Sequence, residues 1–168
     1  MKILRELNEQ ERNDLVERHV IDCEHEKCIH DSHIKGVVLG QPYCYKVNIF
    51  TDDYKGILVH SCIFNKYETL LFAVEYIKAH PDFLLKKRSK GVLNGDAVNQ
   101  YKMKLEQRKG AFQERFTSFT NCFMHDGKTT KPEITDGMHR LVAYGLATDL
   151  NPEHFPIPAY YGTAERIS

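Results

Sequence analysis

Apolar residues recur at two different periods along this chain, and the places where the period changes mark out its elements. Leu15, Val16, His19 and Val20 fall at helical spacing behind Asn8, and Glu11 three residues after that Asn completes a capping-box pattern. The spacing predicts a first helix of about three turns. From Asp22 to His33 the period fails in a polar, Cys- and His-rich stretch, read as a loop, and Gly36-Val37-Val38-Leu39-Gly40 then reads as strand-like. Tyr43 to Phe50 alternates among β-formers. The turn Thr51-Asp52-Asp53-Tyr54-Lys55-Gly56 leads on to Ile57 through Phe64, so an antiparallel hairpin is expected there.

The helical period returns after Asn65, read as an N-cap with Glu68 at the third position. Tyr67, Leu70, Leu71, Val74 and Ile77 form one stripe that ends before His80-Pro81. Lys86 to Gly110 is basic and polar, and Asp96 as N-cap with a thin stripe of Ala97, Val98, Tyr101 and Leu105 predicts a more exposed helix. β-Formers between Arg115 and His125, a turn at Asp126-Gly127-Lys128 and a short strand holding Ile134 lead to Asp136. Met138, Leu141, Val142, Gly145 and Leu146 make the last helical stripe. After Asn151-Pro152, His154 to Tyr161 reads as a short strand, placed at a sheet edge by its two prolines. The expected fold is α+β: a small mixed sheet with helices on one side and an inserted helical segment over residues 82–112, in one domain of 168 residues.

Composition narrows the functional classes. The chain is 42% hydrophobic and 27% charged, which disfavours a disordered or fibrous protein. Lys plus Arg and Asp plus Glu number 23 each, so no global field draws the chain to nucleic acid or anionic lipid, and any such binding must be local. No uncharged run approaches the roughly 20 residues of a spanning helix, and the first residues lack a signal-peptide pattern. A cytosolic protein with no membrane partner is expected. Its five cysteines, an odd number, then default to free thiols.

The chemistry concentrates at Asp136-Gly137-Met138-His139-Arg140, where a strand hands over to a helix. Asp136 reads as the N-cap. The N–H groups of Gly137, Met138 and His139 would face out of the helix start, where the macrodipole is equivalent to roughly half a positive charge. Gly137 lets a phosphate approach the backbone, and His139 and Arg140 add donors, so the pattern predicts an anion site.

Strand, D-G-x-H-R, helix and Pro-bearing strand over about residues 112–163 resemble the ParB/sulfiredoxin superfamily, which holds nucleotide phosphates at the start of such a helix. Position 138 separates its branches. Sulfiredoxins carry their catalytic Cys there, so Met138 argues against sulfinic-acid reduction, while the G-E-R-R form of partition-type CTP-binding proteins matches only in part. The D-G-x-H-R form is most similar to the superfamily's small-molecule kinases, such as free-serine kinases with D-G-H-H-R, and to D-G-Q-H-R proteins linked to DNA modification. The resemblance to the kinases implies ATP or another nucleotide with Mg²⁺, and phosphotransfer to a small-molecule hydroxyl such as that of an amino acid or nucleoside. Arg140 and the helix start would hold the phosphoryl group and His139 would stabilise its charge. Asp136 would cap the helix or help hold Mg²⁺ or the acceptor, and Met138 would offer only its backbone N–H. The general base would be an upstream acid, for which Glu24, Glu26, Asp52 and Asp53 are candidates.

Two other readings stand beside it: a nucleic-acid-associated member of the superfamily contacting phosphates through residues 86–109, and a protein-interaction module keeping a relic of the site. Cys23, His25, Cys28, His30 and His33 supply zinc-type ligands at irregular spacing. Gly127-Lys128-Thr129 echoes the end of a Walker A loop, but Cys122 stands where its first Gly would be, so it reads as a turn.

Overall fold

The computed structural model describes residues 1–22, 35–60, 63–85, 93–107, 118–123, 130–151, 153–154 and 156–167. Strand β1 (Lys2–Glu6), for which no periodicity argued, opens the chain and pairs antiparallel with β2 (Tyr43–Ile49). Helix α1 (Glu9–Asp22) begins on the expected capping box. The Glu11 N–H donates to Asn8 Oδ1 at 2.9 Å, and the Asn8 N–H donates to Glu11 Oε2 at 3.0 Å.

The run Gly36 to Gly40 is not a strand. Residues 35–38 form one helical turn, with the N–H groups of Leu39 and Gly40 both donating to the Lys35 carbonyl. Val37 and Val38 are consecutive and both buried, Val38 against α1 and Val37 against Gly162. Strand neighbours point to opposite faces, whereas a helical turn sets them about 100° apart, which lets both reach the interior.

The expected hairpin also gives way. A 3-10 turn (Thr51–Lys55) follows β2, and its buried Tyr54 donates its hydroxyl to the Leu141 carbonyl at 2.7 Å. This tie carries the chain across to the far side of the sheet. There β3 (Leu58–Val59) pairs parallel with β6 (Thr130–Asp136) and antiparallel with β4 (Glu68–Thr69). Helix α2 (Leu70–Ala79) starts on Thr69, whose Oγ1 accepts the Phe72 N–H at 3.1 Å, rather than on Asn65, which sits at φ 60° in the turn before β4. It stops, as expected, before Pro81.

A second 3-10 turn (Pro81–Leu85) precedes α3 (Gly95–Gln107). The cap is Asn94 rather than Asp96, its Oδ1 accepting the N–H groups of Asp96 at 2.9 Å and Ala97 at 3.2 Å. Phe83, Leu93 and Val98 join the main core, so the described part of the 82–112 segment helps to build it. Then come β5 (Ser118–Phe123), antiparallel to β6, helix α4 (Met138–Ala147) and β7 (Ile157–Thr163).

The sheet order is β1-β2-β7-β5-β6-β3-β4, a seven-stranded mixed sheet, which makes the fold α+β. β7 is central rather than at an edge. It runs antiparallel to β2 and parallel to β5, and the β5 ladder begins only at Tyr160, so the preceding Pro156 and Pro158 interrupt none of it. Helices also flank both faces. Tyr45, Val47, Ile49, Ile157, Ala159 and Tyr161 meet the main core with α2, α3 and α4, while Cys44 and Tyr160 on the opposite face meet Leu7, Leu15, Val16 and Val38. No helix among the described residues is long and apolar enough to cross a membrane.

Two predictions follow from this packing. A Cβ at Gly145 would stand 2.9 Å from Val74 Cγ2 and 3.0 Å from Tyr54 Cε2. Helix propensity alone would make Gly145→Ala stabilising by about 1 kcal/mol, but overpacking of about 1–3 kcal/mol opposes it. Thermal denaturation should show a lower Tm for the variant. Burial also pushes the Cys44 thiol up from 9.0 to about 11 and the Tyr144 hydroxyl from 10.0 to about 12, and holds Tyr54 well above the tyrosine range. The unfolded chain therefore loses these protons first. Their stabilisation is complete below about pH 9 and is lost as pH rises through the folded-state values. Guanidinium unfolding midpoints should fall progressively between about pH 9 and 12, and Cys44→Ala should flatten the lower part of that fall.

Candidate functional site

Asp136 is the last residue of β6, and the chain turns from strand to helix at Gly137, which has φ 92° and ψ 12°. An L-residue in that left-handed conformation costs roughly 1–2 kcal/mol, which is the local reason for glycine here. Gly137, not Asp136, is the cap residue. The Asp136 carboxylate accepts the Gly137 N–H at 2.7 Å through Oδ1, and its Oδ2 lies 3.9 Å from Arg140 Nη2. The Arg140 side chain is only 7% exposed, and this is a loose ion pair between a buried cation and a largely covered carboxylate. Asp136 therefore closes the strand–helix junction and balances charge beneath it.

His139 points to another element. Its Nε2 accepts the Asn94 N–H at 2.9 Å, which assigns the ring proton of the neutral imidazole to Nδ1. The start of α3 is thereby fastened beside the start of α4. Each helix start is equivalent to roughly half a positive charge, so two such fields meet at this corner. Met138 packs its thioether, partly buried, against the main core. Of the five residues singled out, Gly137 and Arg140 are buried and Asp136, Met138 and His139 partly so, all around one corner of the fold.

The upstream acids are placed less favourably. Asp53 is engaged in the 3-10 turn, accepting the Phe50 N–H at 2.8 Å and pairing with the Met1 amino group, whereas Asp52 is exposed on the same turn. Glu24 and Glu26 lie outside the described residues, as do Cys23, His25, Cys28, His30 and His33, the Gly127-Lys128-Thr129 turn, and Lys86 through Lys90 with Arg108 and Lys109. Lys104 on α3 is exposed, its Nζ 5.7 Å from the Tyr101 ring centre. Elsewhere, a cavity of about 630 Å³ lies between the first turn of α1 and residues 39–42, away from this corner. Arg12 lines it but donates to the carbonyls of Val38 at 2.5 Å, Pro42 at 3.2 Å and Gln41, which locks that loop to α1.

Asn94 belongs to the site although the motif did not include it. Its signal was present, since Asn caps a helix as well as Asp does and stands two residues before Asp96. Tyr54, which bonds to the Leu141 carbonyl of α4, gave no such signal. Comparison with family models, curated proteins and solved structures gives no match to this chain.

The Asp136–Arg140 pair yields a stability prediction. Asp136→Ala removes the acceptor of the Gly137 N–H and a counter-charge of the covered guanidinium, and should cost about 1–3 kcal/mol. Asp136→Asn keeps an acceptor for the Gly137 N–H and should lose less. Urea unfolding of the two variants beside the parent checks the order.

Proposed function

We propose that the chain binds nucleotide phosphates at the corner where α3 and α4 begin, and that it transfers a phosphoryl group from the nucleotide to the hydroxyl of a small molecule. The observation that carries this reading is the β6–Gly137–α4 junction, with a left-handed glycine, a buried Arg140 and the start of α3 bonded to His139 alongside. Such a corner suits a phosphate because the backbone donors and the helix field favour an anion. The D-G-x-H-R resemblance to the small-molecule kinases of the ParB/sulfiredoxin superfamily supplies the reaction class.

The residues present fit a phosphate with one qualification of role. The Gly137 N–H is already given to Asp136, so the donors for the ligand are the N–H groups that follow it in the first turn, together with His139. Asp136 is engaged by Gly137 and Arg140. Mg²⁺ is therefore expected to enter on the nucleotide's phosphates and its own waters, the usual manner for this ion. When bound, the nucleotide would supply the phosphoryl group. The protein's part is to orient it and spread its charge.

Calorimetric titration of the full chain in Mg²⁺ tests this directly. ATP should bind at one site and be displaced by pyrophosphate, and adenosine should bind at least about tenfold more weakly, a difference of about 1.4 kcal/mol carried by the phosphates. Absence of ATP binding overturns the proposal. Binding without turnover across a broad acceptor panel, followed by mass spectrometry, overturns the phosphotransfer half alone. Retention of DNA with a steep salt dependence in that same case points to the nucleic-acid-associated reading.

A further inference from the structure

We infer that the His139 imidazole is a pH-sensitive tether between the start of α3 and the start of α4. The contact is an acceptor contact, Asn94 N–H to His139 Nε2 at 2.9 Å, and it needs the lone pair of a neutral ring. An imidazolium has two N–H donors and no acceptor. Histidine is the side chain whose ordinary titration falls between pH 5 and 8, and a proton on Nε2 breaks the bond. Protonation also brings a cation to the start of α3, where the helix field is already positive.

Charged groups among the described residues stand at both helix starts. On the junction and its own helix stand Asp136 and Arg140, paired with each other, and on α3 stands the exposed Asp96, two residues past the tethered N–H. The 3-10 turn, which carries Asp52, Asp53 and Lys55, meets α4 at Leu141, and α2 meets it at Gly145. The open state accepts a proton that the closed state excludes, and the closed fraction therefore rises with pH. The opening is local, because Val98, Tyr101 and Leu105 keep α3 packed on the core. It does not depend on a nucleotide.

Amide hydrogen exchange of the full chain at about pH 5 and pH 8, with each rate divided by that of an unstructured peptide at the same pH, reads the tether at Asn94. Protection there should fall roughly 2- to 10-fold at the lower pH, the range of one net hydrogen bond. His139→Gln, which can accept but does not titrate, should hold its protection at both pH values, and His139→Ala should be low at both. Equal protection of the parent at the two pH values overturns the inference, and so does a fall that persists in His139→Gln. Imidazole ¹⁵N shifts at pH 8 give a reading that needs no variant. They should show Nδ1 protonated and Nε2 bare, and the opposite tautomer overturns the tether.

Discussion

Helix α4 is buried along six consecutive residues, Arg140 through Gly145, and at about 100° per residue that run covers its whole circumference. A helix enclosed in this way cannot leave its polar groups to water, so the surrounding elements must satisfy them. Much of the fold follows from that requirement. The 3-10 turn after β2 brings Tyr54 to the Leu141 carbonyl, the end of β6 supplies Asp136 to Gly137 and Arg140, and Thr148 returns its hydroxyl to the Tyr144 carbonyl. Gly145 removes a side chain where Val74 of α2 and the Tyr54 ring close in.

The sheet is arranged around the same helix. β6 and β7, the strands on either side of α4 in the chain, are not neighbours. β5 lies between them, antiparallel to β6 and parallel to β7. Because Tyr54 draws the chain under α4, β3 joins the sheet beside β6 instead of returning along β2. The position beside β2 then goes to β7, which pairs with it from Tyr43 to Ile49. The opposite face is covered separately by α1 and the turn at 35–38, through Val16, Val38 and Cys44.

The enclosure of α4 also shapes its chemistry. An arginine in the first turn would ordinarily be a free cation for a ligand, but here the guanidinium lies under cover with Asp136 as its counter-charge. The field of the junction is thus set partly by the protein's own carboxylate. What remains directed outward is the helix start itself and the imidazole that bridges to α3, so the proposed phosphate site is shared by two helices.

Local rules were legible in the sequence where both partners of an interaction lie within one turn. The Asn8–Glu11 capping box, the buried positions Leu70, Val74 and Ile77 of α2, the alternation of β2 and the strand–glycine–helix junction at 136–138 all rest on neighbours a few residues apart. The sequence argues for glycine at 137 from close phosphate approach, whereas the folded chain adds a backbone reason, the left-handed φ of 92°. Tertiary structure decided what depends on distant partners. β1 is a strand because β2 lies beside it, residues 35–38 are helical because two consecutive valines are both buried, and β7 is central because its prolines precede the β5 ladder. Thr69 caps α2 in place of Asn65 because the two residues before the helix are paired with β3. The same holds for the site. Asp136, Gly137, His139 and Arg140 could be picked out as a motif, but only the folded chain places Arg140 under cover and His139 against Asn94, a contact across 45 residues of sequence.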